Sequence, residues 1–335
     1  MTARRLPPTT PPSLAWLMAG LLTASALARP DTTGRIGPPD IIGRWDITVH
    51  APGMDYPSWL EVRKSGRETL VGRFVGRMGS VRPITQVQFH DNRVRWSVPI
   101  QWEPRKGDLV FEGKLERNML EGETVTDDGH KVKWVGRRAP ELKRDRPPTW
   151  AEPVALFNAK DLTGWRTDPP GPDTFPPPKP KNTDSWTVRD GLLVNTKGGV
   201  NLVSARKFDD FKLHAEFRYP KDSNSGIYLR GRYEIQVEDN YALEPDSHLI
   251  GGIYGFLTPS TNPCKRPGEW QTIDAELIGR MVTIHLNGER IIDRKTIPGI
   301  TGGALDSDEG SAGPIMLQGD HGPIDFRKVT VVPGK

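Results

Sequence analysis

Apolar and polar residues alternate strictly along residues 211–238, in three short runs. Such alternation predicts antiparallel strands that each have one buried face and one open face. Turn residues separate the runs, at Asn224-Ser225-Gly226 and at Gly231. The apolar positions are Phe211, Leu213, Ala215 and Phe217 in the first run, Ile227 and Leu229 in the second, and Tyr233, Ile235 and Val237 in the third.

The polar positions of the same runs predict a hydrogen-bonding wall on neighbouring strands. They are His214, Glu216 and Arg218, then Tyr228 and Arg230, then Glu234, Gln236 and Glu238. Most polar residues on an open sheet face are merely solvated. Here, however, no lysine occurs between Lys221 and Lys265, and arginine is used instead. Its planar guanidinium suits bidentate recognition, so the pattern favours a neutral polyol as the ligand.

The rest of the chain carries many short strand-like runs and no long amphipathic helix. With 32 prolines and 35 glycines in 335 residues, it predicts an all-β protein. Residues 41–138 contain about eight short runs, which predict a small antiparallel β-barrel or sandwich. The opening Gly43-Arg44-Trp45 loosely resembles the lipocalin- and avidin-like barrels. We expect the tryptophans of this region to fill its core rather than line a cavity; they are Trp45, Trp59, Trp96, Trp102 and Trp134.

Residues 154–335 contain about a dozen strand-like runs, with strong hairpin signals such as Asn287-Gly288. They predict a two-sheet jelly roll. A charged, proline-rich linker at residues 139–153 precedes them, and we expect the regions on its two sides to fold independently. Residues 168–182 form a second proline-rich loop, inside the jelly roll.

Residues 1–28 have the features of a bacterial secretory signal peptide. Arg4 and Arg5 precede an apolar run, and Ala26-Leu27-Ala28 offers a cleavage site. A membrane anchor is the alternative, but the apolar run is short for a span. Residues 29–40 follow as a tether. We therefore expect a mature protein without a membrane span, in the periplasm or outside the cell.

Charge and cysteine content exclude two classes of protein. The formal net charge is only +4, and no Lys/Arg run with interleaved aromatic residues occurs, which argues against a nucleic-acid partner. Cys264 is the single cysteine, so an intrachain disulfide framework is excluded. The oligomeric state is left open.

The jelly-roll region resembles the 3-keto-disaccharide hydrolase family, a former domain of unknown function with a concanavalin-like fold. The matching segments follow one another across residues 154–333: 156–158 (LFN), 162–165 (LTGW), 186–193 (WTVRDGLL), 208–218 (FDDFKLHAEFR), 224–230 (NSGIYLR), 233–236 (YEIQ), 251–255 (GGIYG), 267–270 (PGEW), 286–288 (LNG), 314–318 (PIMLQ), 321–322 (HG) and 326–327 (FR). Gln271 and Lys328 stand where the family usually has asparagine, a departure that bears on substrate choice. Residues 41–138 lie outside the resemblance.

The resemblance implies an enzyme that cleaves glycosides whose sugar is oxidised at C3, and the features of residues 1–28 imply that this enzyme is secreted. A ketone at C3 acidifies the proton on C2, so a general base can remove that proton and expel the substituent on C1. Water can then add back, which gives net hydrolysis. Glu216 and Glu234 are the candidate base and acid, and His321 is a candidate proton relay.

Further side chains are candidates for binding the carbohydrate. Arginine and amide groups would hold hydroxyls or the developing enolate, and aromatic rings would support the sugar ring. The candidates are Arg218, Asn224, Tyr228, Arg230, Gln236, Tyr254, Trp270 and Gln318.

Two alternatives stay open at this point. A divalent metal ion would polarise the ketone, with ligands among Glu238, Asp239, Asp246 and His248, although their spacing matches no metal motif. A non-catalytic, lectin-like carbohydrate-binding protein would use the same fold. The two glutamates on the predicted open face favour the enzyme.

Overall fold

The computed structural model describes residues 41–101, 103, 105–126, 129–168, 184–196 and 198–335. Every regular element in these ranges is a β-strand, which confirms the all-β prediction. Nowhere in them is there a helix of the length and apolarity that a membrane span requires. The predicted signal peptide, the tether and residues 169–182 of the second proline-rich loop lie outside the described residues.

Nine antiparallel strands form the first sheet, which curls into a nearly closed barrel. Its strand order is β4-β3-β2-β1-β9-β8-β7-β6-β5, and β3 and β4 at one end come close to β5 and β6 at the other. A bend at Thr85 separates β4 from β5, which makes nine strands where the sequence predicts about eight runs. The strands are β1 (Gly43–Ala51), β2 (Met54–Ser65), β3 (Thr69–Val75), β4 (Arg82–Ile84), β5 (Val87–His90), β6 (Arg93–Val98), β7 (Leu109–Glu116), β8 (Met119–Val125) and β9 (Lys131–Arg138).

Aromatic side chains fill the barrel. The rings of Trp96 and Phe111 stack with centroids 4.9 Å apart, and Trp134 meets both edge-on. Trp45 and Trp134 are fully buried. The prediction that the tryptophans fill the barrel core is confirmed for Trp45, Trp96 and Trp134. Trp59 instead belongs to the apolar cluster of the sandwich, and Trp102 lies outside the described residues.

Two antiparallel sheets make up the sandwich that follows. The large sheet has the order β12-β13-β22-β15-β18-β19-β20, with β10 also paired to β22, and the small sheet has the order β11-β14-β21-β16-β17. The strands are β10 (Val154–Ala155), β11 (Trp165–Asp168), β12 (Trp186–Arg189), β13 (Leu192–Asn195), β14 (Asn201–Phe208), β15 (Phe211–Arg218), β16 (Asn224–Leu229), β17 (Tyr233–Glu238), β18 (Gln271–Ile278), β19 (Met281–Leu286), β20 (Glu289–Thr296), β21 (Gly313–Leu317) and β22 (Ile324–Pro333).

The three alternating runs at 211–238 form β15, β16 and β17, and their apolar positions are all buried between the two sheets. The prediction that all three lie side by side is wrong, because β15 pairs with β18 and β22 in the large sheet. The chain crosses from one sheet to the other at residues 219–223. Since both sheets keep their apolar sides inward, the polar side of β15 points away from those of β16 and β17.

The barrel and the sandwich share a hydrophobic core. Trp59 and Val75 of the barrel belong to the apolar cluster between the sandwich sheets. The Trp59 ring meets Phe256 edge-on at 5.6 Å, and it occupies the space that a side chain at Gly299 would need. Residues 39–335 accordingly form one compact unit.

Polar contacts also join the barrel, the linker and the sandwich. Arg44 donates to the Pro298 carbonyl at 3.2 Å. In the linker, Arg144 binds the Asp210 carboxylate at 2.6 Å, and the Pro140 carbonyl accepts from Arg280 at 2.6 Å. The domain boundaries stay a prediction, but these contacts favour coupled rather than independent folding.

The position of Trp59 generates a test of this coupling. Trp59→Ala should lower the free energy of unfolding by about 3–5 kcal/mol, because it leaves a cavity in a core shared by barrel and sandwich. Urea denaturation of the full chain measures the change. Leu243→Ala, at a side chain that is 55% exposed, should stay within about 0.5 kcal/mol of the wild type. Equal stabilities of the two variants would contradict the shared core.

Candidate active site on the small sheet

The outward side of β16 and β17 carries a row of polar residues. The antiparallel register places Glu234 opposite Tyr228, Gln236 opposite Gly226, and Glu238 opposite Asn224. We call this surface the polar face; it consists of Asn224, Tyr228, Glu234, Gln236, Glu238 and Gln318. Gln318 follows β21 on the other side of β16, since its N–H donates to the Gly226 carbonyl at 2.8 Å.

Glu234 is the most buried carboxyl group of the polar face, with only 4% of the residue exposed. Burial raises the pKa of its carboxyl to about 8; nearby Asp320 also raises it, while the Tyr228 hydrogen bond and His321 lower it. The carboxyl lies directly over Gly226, where a Cβ would overlap Glu234 Oε1. A glycine at position 226 is therefore what lets the carboxyl lie flat on the sheet.

The Tyr228 hydroxyl connects Glu234 to a loop. It donates to the Gly302 carbonyl at 2.9 Å, and it also shares a hydrogen bond with the Glu234 carboxyl. A phenol has only one proton to donate. The Gly302 carbonyl and the Glu234 carboxyl therefore compete for this one proton. Donation to the carboxylate lowers the pKa of Glu234, but burial outweighs it and the pKa stays raised.

Two glutamine side chains of the polar face have carbonyl oxygens that accept no hydrogen bond from the described residues. Gln236 and Gln318 are 3% and 7% exposed, and their side-chain carbonyl oxygens find no hydrogen-bond partner among the described residues. The two residues flank Gly226 from β17 and β21. A buried acceptor without a partner is costly, so these oxygens are ready to accept from the hydroxyls of a bound sugar.

Ionisable groups surround the far end of the polar face. Glu238 is half-buried, and burial raises its pKa while the Gln236 hydrogen bond, His248 and His321 lower it. His321 lies in the turn after β21 and contacts Asp320 at 2.8 Å. The Tyr254 N–H donates to the Glu234 carbonyl at 3.1 Å, and burial raises the pKa of its phenol. A carboxyl, an imidazole and a phenol are therefore gathered at this end of the site.

Several predicted site residues come together here, and others do not. Glu234, Tyr228, Gln236, Asn224 and Gln318 share the polar face, with His321 and Tyr254 at its rim. Glu216, Arg218 and Trp270 belong to the large sheet and the loop before β18, on the opposite side of the sandwich. The expectation that Glu216 and Glu234 lie on neighbouring strands is therefore wrong.

Glu216 takes part in an ion-pair network on the large sheet. Its carboxylate contacts His214 at 3.1 Å and Arg327, and His214 contacts Asp274 at 2.7 Å. Burial alone would raise the pKa of Glu216, but hydrogen bonds from His214 and Arg327 lower it overall. The Trp270 ring lies between the guanidinium groups of Arg218 and Arg327, at 4.9 and 4.5 Å. These contacts stabilise the sheet surface and leave Glu216 ionised.

Arg230 was predicted to bind substrate on an open strand face, but it is fully buried. It follows β16 with φ of +53°, where the chain turns away from the sheet. Its guanidinium donates to the backbone carbonyls of Glu309 and Gly279, and it lies 3.4 Å from Asp209. Its role is to anchor these loops.

Sequence reasoning missed residues that shape the site without reacting. Gly226 was read only as a turn residue, although it makes room for Glu234. Thr301 accepts the Glu234 N–H at 3.0 Å, and Gly302 accepts from Tyr228. The two lie about 70 positions away from the strands that they contact, so no local pattern could have indicated them.

The metal site that the sequence left open gains no support. No group of three or more His, Cys, Asp and Glu side chains in the described part of the chain is arranged to hold an ion. Asp246 and His248 instead bind each other, at 2.7 Å. We therefore derive no step through a metal.

The site can hold and move protons in a dry environment. A carboxyl with a pKa near 8 is a strong base when ionised and a donor when neutral. Adjacent phenol, imidazole and amide groups can bind a polyhydroxylated ligand. This combination suits acid–base chemistry on a sugar.

A known protein resembles part of the chain. A curated relative from Bacteroides thetaiotaomicron, named 3-keto-disaccharide hydrolase, is 29% identical over 128 residues, which are 35% of this chain and 40% of that relative. The chain thus matches less than half of that protein's length.

Solved structures also resemble part of the chain. One from Parabacteroides distasonis, named as a candidate glycosyl hydrolase, has 27% identity and a TM-score of 0.43, covering 58% of this chain and 94% of its own. LamA of Zobellia galactanivorans, solved with laminaritriose and laminaritetraose, has 12% identity and a TM-score of 0.38, covering 55% and 98%.

The family comparison covers more than half of the chain. The sequence model of one protein family, described as the 3-keto-alpha-glucoside-1,2-lyase-like domain, matches residues 152–332. This range includes every strand of the sandwich apart from Pro333, the last residue of β22, and all residues of the polar face. The chain belongs to the family of 3-keto-alpha-glucoside-1,2-lyase-like domains.

Proposed function

We propose that the protein hydrolyses 3-keto-glycosides on the polar face of the small sheet. The observation that carries the proposal is the buried Glu234 carboxyl, whose pKa is raised to about 8. It lies beside two amide oxygens that find no hydrogen-bond partner among the residues the structure describes. Membership of the family and the name of the Bacteroides relative support the class of substrate.

The reaction begins with removal of the proton on C2 by ionised Glu234. The C2–H electrons form a C1=C2 double bond, and the bond between C1 and the glycosidic oxygen breaks. The departing oxygen takes up a proton and leaves as the alcohol. Water then adds to C1 while a proton returns to C2, so the net reaction consumes one water molecule and yields the free 3-keto sugar.

The elevated pKa of Glu234 is matched to this first step. A C–H bond next to a ketone is a weak acid, so a carboxylate of ordinary pKa near 4.5 would remove its proton poorly. Desolvation makes the ionised form of Glu234 more basic. The carboxyl, once protonated, is also the natural donor when a proton returns to C2.

The neighbours of Glu234 bind the sugar and assist the reaction. Gln236 and Gln318 accept hydrogen bonds from its hydroxyls, and Tyr228 holds the Glu234 carboxyl in place. His321, next to Asp320 at the rim, supplies a proton to the departing oxygen. Tyr254 offers an aromatic edge to the sugar ring.

The two glutamates allow a matched test of this assignment. Purified protein should release the aglycone from a 3-keto-glucoside and leave the unoxidised glucoside intact. Glu234→Gln should lower turnover by about 100-fold or more, because the amide cannot act as a base. It should keep the fold, since glutamine has the shape of the neutral acid. Glu216→Gln, on the opposite sheet, should retain turnover within a few fold.

Two results would contradict the assignment. Full activity of Glu234→Gln would remove the proposed base from the reaction. Sugar binding without any aglycone release by the wild type would instead indicate a lectin-like binding protein.

Gly226 provides a second test, which leaves every ionisable group in place. Gly226→Ala should displace the Glu234 carboxyl and lower kcat by about 10-fold or more, since small misplacements of a base are costly. Gly310→Ala is the control, because a Cβ there would make only ordinary contacts, at 3.7 Å or more, and its kcat should stay near that of the wild type. Unchanged kcat in Gly226→Ala would mean that the position of the Glu234 carboxyl does not matter.

A further inference from the structure

The barrel reaches the rim of the polar face through one serine. Ser80, in the turn between β3 and β4, contacts His248 Nε2 through its Oγ at 2.7 Å. The opposite ring nitrogen, Nδ1, lies 2.7 Å from Asp246 Oδ1. The three side chains form a continuous chain from the buried barrel surface, where Ser80 is 6% exposed, to the half-exposed imidazole.

The two contacts fix the protonation pattern of the imidazole ring. A carboxylate can only accept, so Nδ1 carries the proton that it donates to Asp246. In the neutral ring, Nε2 then accepts from the Ser80 hydroxyl. Ser80 thereby holds both the tautomer and the orientation of His248.

His248 lies beside the ionisable groups of the polar face. Its ring meets the Tyr254 ring edge-on at 5.1 Å, and when it is protonated its charge lowers the pKa of Glu238. Asp246, Glu238 and Tyr254 are the titratable groups that face it. Because Tyr254 is bonded through its backbone to β17 at Glu234, the position of the imidazole is tied to the strand that carries the proposed base.

The sandwich loops leave space for the barrel turn. Gly255, with φ of +71°, lies against Ser80, and a Cβ there would overlap the serine Oγ. Gly303 donates its N–H to the Arg77 carbonyl at 2.9 Å, and the adjacent Gly302 holds the Tyr228 hydroxyl. The same barrel turn thus supports both the loop with His248 and the loop that fixes Tyr228.

We propose that Ser80 of the barrel is a positioning residue of the active site, which sets His248 as a proton-transfer group at the rim. This inference rests on the proposed function and extends it beyond the matched domain. The barrel then forms part of the catalytic machinery and is not only an accessory module. The alternative is that this hydrogen bond only helps to hold the barrel against the sandwich, and the experiment must distinguish the two roles.

A comparison of two hydroxyl deletions in the full-length protein makes that separation. Ser80→Ala should lower kcat/KM on a 3-keto-glucoside by about 10-fold, the effect of one well-placed hydrogen bond. Thr48→Val is the control, because Thr48 Oγ1 also contacts the sandwich, at Ser307 Oγ and 3.1 Å, and forms no hydrogen bond to His248 within the described part of the chain. It should retain the wild-type kcat/KM.

Double substitution shows whether Ser80 acts through His248. If it does, adding Ser80→Ala to His248→Gln should lower kcat/KM by less than about 2-fold further, because the imidazole that the hydroxyl positions is already absent. Asp246→Asn removes the hydrogen bond at the other, exposed side of the imidazole, so it should lower kcat/KM as much as Ser80→Ala does. This variant tests the proposal even if Ser80→Ala fails to fold. Fully additive losses, or equal losses in Ser80→Ala and Thr48→Val, would overturn the proposal.

A readout independent of activity separates this inference from the proposed function. The ¹⁵N resonance of His248 Nε2, assigned by its loss in His248→Gln, should move in Ser80→Ala and stay in place in Thr48→Val. An unchanged resonance in Ser80→Ala would overturn the positioning role even if the enzyme cleaves 3-keto-glucosides. A shifted resonance in a protein without that activity would support the positioning of His248 while refuting the proposed reaction.

Discussion

The polar face depends on keeping one carboxyl group, that of Glu234, out of water. An ionised carboxylate loses much of its solvation free energy on burial, so the neutral form is favoured and the pKa rises. The Gly226 backbone lies beneath the carboxyl, and Tyr228 lies beside it. The apolar cluster of Val203, Tyr228 and Met316 on the same side of the sheet keeps this region dry.

The burial of Glu234 is maintained by loops that rest on the barrel. The Thr301 and Leu305 N–H groups donate to the carbonyls of Arg232 and Gly231, which fixes the loop over the end of β17. That loop in turn packs on the barrel turn through Gly302 and Gly79. The barrel therefore contributes to the electrostatics of the site, as well as to the stability of the sandwich through Trp59.

The sequence was sufficient to predict strands and buried faces, because alternation reports directly on which side of a strand meets the core. It could not show to which sheet each strand belongs. A crossing between sheets and a hairpin both preserve the alternation, so Glu216 and Glu234 looked like neighbours. Arg230 was misplaced for a related reason, since its partners are backbone carbonyls about 50 to 80 positions away. The amides Gln236 and Gln318 were predictable as a pair only through the family resemblance.

Direct titration of the Glu234 carboxyl tests the central claim most closely. Infrared difference spectra between the wild type and Glu234→Gln isolate the stretching band of this one protonated carboxyl as the pH is varied. Because burial raises the pKa, the band should persist at pH 7 and disappear as the pH rises through about 8. Disappearance between pH 4 and 5, the ordinary range for glutamate, would contradict a desolvated carboxyl at the centre of the site.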